Sequence, residues 1–109
     1  METWDLASLD VAPQQPAVLS SDQEGRAIVI QLSAGDSLQE HQVHERAWLV
    51  VLSGALEIDD AGGETTKGGA GMLALFDPNE RHEVRASEDS RLLLVLSPWP
   101  GEGHPSNRD

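Results

Sequence analysis

The stretch GDSLQEHQVHERAWLVVLSG, residues 35–54, decides how this chain is read, because it sets imidazoles and a dense apolar run between two glycine turns. A second stretch, GMLALFDPNERHEVRA at residues 71–86, answers it downstream with another glycine, a short apolar run, a proline turn and a histidine. The two together point to one pocket that both stretches serve.

Working outward, residues 26–33 place Ile28, Ile30 and Leu32 on one face and Val29 with Gln31 on the other, the period of a β-strand rich in branched side chains. Residues 41–52 read as extended. Residues 55–59 alternate and end in DDAGG, a hairpin signal, with residues 65–67 pairing back. Residues 72–76 and 81–86 flank the turn DPNE. Residues 48–52 and 92–96 are apolar on both faces and are expected to be covered on two sides. Residues 1–25 hold Pro13 and Pro16 and read as a loosely attached arm with short strands at 3–6 and 17–20. Residues 98–109, rich in Pro and Gly, read as a surface tail. No segment has a capped helical period. Short strands separated by turn signals predict an all-β sandwich or barrel, with one domain over residues 26–97.

Composition narrows the partners. The chain has 109 residues, with 19 Asp and Glu against 7 Lys and Arg, a formal net charge of -12. Nucleic acid and anionic membrane surfaces are therefore excluded as expected partners, since binding to either rests on cationic side chains. With no cysteine there is no disulfide, thiolate metal site or Cys nucleophile, and any metal is left to His, Asp, Glu and water. The opening METWDLASLD lacks the cationic start and apolar core of a signal peptide, and the runs AWLVVL and LLLVL are far too short to span a bilayer. A cytoplasmic protein is expected.

These stretches resemble the two motifs of the cupin superfamily, small double-stranded β-helix or jelly-roll barrels. Gly35, His41 and Gly54 match the first motif; Gly71 and His82 match the second, although Pro78 falls one place late, Asn79 stands at a glycine and Ala86 replaces an asparagine. The resemblance covers residues 26–97 and implies a β-barrel with a metal held by histidines. Two ligand positions depart from it, one being Val43 and the other, a glutamate in the family, Ala47. Only His41 and His82 carry over. His44 lies nearby, but strand alternation puts it on the face opposite His41 unless a β-bulge separates them, whereas Glu45 shares the face of His41.

Two functional readings stay open. In one, His41, His44 and His82, with Glu45 or water, hold a divalent zinc, iron, nickel, manganese or copper ion, giving a dioxygenase-like or isomerase-like enzyme. In the other, the barrel has lost its metal and is a small-molecule-binding or sensing module whose pocket is lined by Val43, Ala47, Leu49, Met72, Ala74 and Phe76, with Glu45 a solvated rim carboxylate. Arg46, Arg81 and Arg85 are expected to pair with surface carboxylates such as Glu45, Glu80, Glu83 and Glu88. A chain this small buries only about 60–70% of its unfolded surface, so a homodimer is expected, formed through the doubly apolar strands and with the N-terminal arm added to the partner's sheet.

Overall fold

The computed structural model describes residues 1–41 and 45–98, and among these there is no helix. The described residues form β1 (Ala17–Ser21), β2 (Arg26–Leu32), β3 (Ser37–His41), β4 (Arg46–Ser53), β5 (Ala55–Asp60), β6 (Thr65–Gly69), β7 (Leu73–Phe76), β8 (His82–Ala86) and β9 (Ser90–Ser97). They build two antiparallel sheets, one ordered β1-β2-β9-β4-β7 and the other β3-β8-β5-β6.

Two-residue alternation decides which face of each strand is dry. In β4, Ala47, Leu49 and Val51 are buried while Arg46, Trp48 and Val50 are half-buried; in β8, His82, Val84 and Ala86 are buried while Glu83 and Arg85 are half-buried. The dry faces meet in one core, with Ile28, Ile30 and Leu32 from β2 and Leu92 and Leu96 from β9 facing Leu56, Ile58 and Val84 of the second sheet. The last strand, β9, sits in the middle of its sheet: Leu92 is registered opposite both Ile30 and Val51. Ser90, fully buried at its start, ties the sheets together, its hydroxyl accepting from the Ala55 amide at 3.1 Å and lying 2.7 Å from the Glu88 carbonyl. A buried hydroxyl so satisfied carries little desolvation penalty.

The structure departs from the sequence expectations at four places. Residues 41–52 are not one strand: β3 and β4 belong to different sheets. Strand β3, with Ser37, Gln39 and Glu40 in its five residues, has no apolar alternation to reveal it, and its place comes from the backbone ladder with β8. Residues 3–6 are not a strand either, because Asp5 turns the chain locally: its carboxylate accepts from the Ala7 amide at 3.2 Å and its carbonyl from the Ser8 amide at 3.1 Å.

The arm is firmly held. Strand β1 pairs with β2 of its own chain, and the Arg91 guanidinium donates to the carbonyls of Leu6 at 2.9 Å and Leu9 at 2.7 Å while its Nε donates to Gln31 at 2.9 Å. Lastly, the described residues do not cover the doubly apolar strands on both sides. Trp48, Val50, Leu93 and Val95 are only partly buried, and Leu73 and Leu75 of the neighbouring β7 are 60% and 51% exposed. Among the described residues no helix is long and apolar enough to cross a membrane.

Candidate functional site

The site is built by the turn between β7 and β8, which carries the chain from one sheet to the other. Asn79 takes a positive φ of 67°, a conformation Asn tolerates better than most residues, and the Asp77 amide donates to the Glu80 carboxylate at 3.0 Å. The turn returns His82, the first residue of β8, beneath Phe76, the last residue of β7. The two rings stack with centroids 3.8 Å apart and planes 8° from parallel. His82 is 6% exposed, and its Nδ1 lies 3.1 Å from the Glu80 carbonyl. A carbonyl only accepts, so Nδ1 is the donor there, and in the neutral ring Nε2 is left as an acceptor.

Two spaces meet at this imidazole. Inside the barrel is an apolar cavity of ≈ 20 Å³, lined by Leu38, Ala47, Leu49, Phe76, Val84, Leu94, Leu96 and His82. That holds about one water molecule. On the other side, a cleft of ≈ 200 Å³ opens at the barrel end between Asp59, Asp60, Ala61, Gly63, Arg81, His82 and Glu83. This is below the roughly 300–1,000 Å³ of drug-sized ligand pockets and suits a small polar molecule.

The cleft wall is a pinned hairpin. The Asp60 carboxylate accepts from the amides of Gly62 at 2.9 Å and Glu64 at 3.0 Å, fixing the turn between β5 and β6. Asp59 is bound by the Arg85 guanidinium and by the Thr65 hydroxyl at 2.6 Å, and Arg85 also reaches Glu83 at 2.9 Å and Glu57 at 3.3 Å. The hydrogen bond from Arg85, then that from Thr65, hold the Asp59 carboxyl below its ordinary value of 3.8, while the same carboxylates keep Arg85 protonated.

The residues expected from the sequence are distributed unevenly over this site. His41 ends β3 and its backbone is registered opposite His82 across the β3–β8 pair. A bulge occurs in β3 between Leu38 and His41, whereas the one expected between His41 and His44 falls outside the described residues. Val43 and His44 lie outside the described residues. Glu45 is 3% exposed, a buried carboxylate and not a solvated one, on the same parity as Ala47 and Leu49. Ala47, Leu49 and Phe76 line the interior cavity; Met72 and Ala74 are packed against the core and are absent from its lining.

Arg46 pairs with Asp77 at 2.7 Å, Arg85 joins the outward network with Glu83, and Arg81 lines the cleft. Sequence reasoning missed Asp59 and Asp60, whose signal was the DDAGG turn read only as a hairpin marker. It also missed Leu38, hidden in a polar strand.

Ala47, at the position where the resemblance expects a glutamate, is 2% exposed and turns a methyl group into the cavity. Among the described residues no three His, Asp or Glu side chains come together as a metal-holding group. Two neighbouring carboxylates, Asp59 and Asp60, are committed to Arg85 and to the turn.

A family model described as "Cupin domain" matches residues 28–97. No curated protein matches by sequence. Many solved structures share the fold. An RmlC-like cupin protein from Desulfovibrio desulfuricans is 19% identical with a TM-score of 0.80, covering 90% of this chain and 97% of its own. A conserved protein of unknown function from Streptococcus pyogenes is 23% identical with a TM-score of 0.77, covering 92% and 90%. KdgF from Halomonas sp. is 22% identical with a TM-score of 0.74, covering 87% and 90%. At these identities the likeness is one of fold.

Proposed function

Because the chain belongs to the cupin domain family, we propose that it is a small-molecule-binding cupin module that works without a resident metal and takes its ligand in the cleft beside His82. The observation that carries this reading is the imidazole itself, held against Phe76 and the Glu80 carbonyl and facing a cleft of ≈ 200 Å³ instead of a roomy barrel interior. The side chains that line the cleft, Asp59, Asp60, Arg81, His82 and Glu83, are polar, so the ligand class is a small polar molecule rich in N–H or O–H groups. The aliphatic cavity of ≈ 20 Å³ behind the ring admits no such molecule.

The experiment is a thermal-shift screen of small polyols, amines and hydroxy acids against the purified chain, followed by calorimetry. A genuine ligand at about 100 times its Kd stabilises the fold by about 2.7 kcal/mol. In the His82→Ala variant that shift is expected to vanish. The register of His41 opposite His82 favours a second reading, a metal-dependent enzyme with His41, His44 and His82 as ligands and Glu45 beside them. Elemental analysis separates the two: stoichiometric transition metal in the wild-type chain, lost in a His41→Ala/His82→Ala double variant, would overturn the metal-free proposal.

A further inference from the structure

Residues 1–16 are fastened to the larger sheet from outside. On its outer face Gln31 of β2 and Arg91 of β9 are directly paired, and Val29 is paired with Leu93 beside them. The Arg91 guanidinium, oriented by its Nε donating to Gln31 at 2.9 Å, turns its Nη1 onto the carbonyls of Leu6 at 2.9 Å, Ala7 at 3.3 Å and Leu9 at 2.7 Å. The turn begun by Asp5 brings those carbonyls together. Val29 is fully buried although it points away from the core, and Val11 of the arm is 8% exposed; neither belongs to the central core. The arm closes over a small apolar layer of its own, on the far side of the sheet from the barrel interior.

The other end of the arm is a strained turn over residues 12–15, in which the Gln15 amide donates to the Ala12 carbonyl at 3.1 Å. Pro13 presets the first corner, and Gln14 takes the second at φ 64°, a left-handed conformation that glutamine adopts only at a cost. The Gln14 amide donates to the Gln31 carbonyl at 3.1 Å and holds that turn down. Gln31 therefore serves both ends: its backbone anchors the turn and its side chain aims the guanidinium.

We infer that residues 1–16 are a strap that opens and closes as a unit while the barrel stays folded, with Arg91 as its latch and the turn over residues 12–15 as its hinge. A segment opens by itself when its contacts are few, peripheral and separate from the main core. The strap meets each condition. Among the described residues its hydrogen bonds to the sheet run through Arg91 Nη1 and the Gln14 amide, and the strand ladder with β2 starts only at Ala17. Releasing the latch hands three carbonyls to water, which rehydrates them, and lets Gln14 relax. Opening bares Val29 and the β2 side of the outer face, so the strap governs how much apolar surface the chain presents.

Hydrogen exchange of the full chain, followed amide by amide at rising sub-denaturing urea, tests this. The Ala7, Ser8, Gln14 and Gln15 amides are hydrogen-bonded in the closed strap. They are expected to exchange together, faster than the amides of β4 and β9 and with a smaller urea dependence, because opening the strap exposes less surface than unfolding the barrel. Arg91→Lys keeps the charge but loses the fork that spans Gln31 and the carbonyls. It is expected to speed chymotryptic cleavage after Leu9 by about tenfold or more, the clipped chain keeping the circular dichroism of the barrel. Val11→Ala leaves both latch and core intact and is expected to act in the same direction. Strap and β9 amides exchanging at one rate with one urea dependence would make arm and barrel a single cooperative unit and overturn the inference, as would an Arg91→Lys chain cleaved no faster than wild type.

Discussion

Glycine at two motif positions serves two different physical needs. Gly35 and Gly54 both sit at φ +89°, but a methyl group on Gly35 would meet open space, whereas one on Gly54 would collide with the Asp89 carbonyl and with Ser90. Gly35→Ala is expected to cost about 1–2 kcal/mol, the strain of the left-handed conformation alone. Gly54→Ala adds overpacking against the buried serine that joins the sheets, and more than about 3 kcal/mol is expected. Urea titration of both variants at one pH checks the ordering; equal losses would mean that the β9 start gives way to the added methyl. His82 is the other residue whose role depends on what holds it. Its position in the sequence was legible from the glycine interval, but its stacking on Phe76 was not, since that depends on a turn that hops between sheets.

Strands β5 and β8 organise the acidic outer face of the smaller sheet. Glu57 and Asp59 on one strand and Glu83 on the other converge on Arg85, with Arg85 and Glu57 directly paired in the register. These groups are about a third exposed, so solvent screens them and each pair contributes little alone. The folded-state pKa of Asp59 is lowered, so the stability it contributes is present above the unfolded value near 3.8 and is lost as the pH falls through the folded value. Accordingly, the stability gap between wild type and Asp59→Asn is expected to be constant from neutral pH down to about pH 5 and to narrow below 3.8. Chemical denaturation over a pH series reads it; a gap that widens on acidification would contradict the assignment.

Element legibility followed apolar pattern. Strands β2, β4 and β9 were evident from alternating or continuous branched and aliphatic residues, while β3 was hidden because its pairing with β8 rests on backbone hydrogen bonds and not on hydrophobic alternation.

At the scale of the molecule, an excess of twelve negative charges strains the folded chain against itself. Screening shortens the reach of that repulsion from about 30 Å at 0.01 M salt to about 8 Å at 0.15 M. The melting temperature is therefore expected to rise over this range. Scanning calorimetry at the two salt concentrations measures the change; a melting temperature that falls would place most of the repulsion in the unfolded chain. The barrel class was readable in the sequence because turn signals and strand lengths act locally. The narrowness of the interior was not, because it depends on how Leu49, Phe76, Leu94 and Leu96 from separate strands fill one volume.

Strand β9 lies between β2 and β4, yet it is made after every other strand described. During synthesis β2 and β4 emerge from the ribosome with no neighbour between them, and the larger sheet cannot assemble until residue 97 has cleared the exit tunnel. Such pairing across long stretches of chain is slow and leaves apolar edges open meanwhile. The larger sheet therefore stays incomplete until β9 has emerged, and the aliphatic sides of β2 and β4 wait open for it in the meantime.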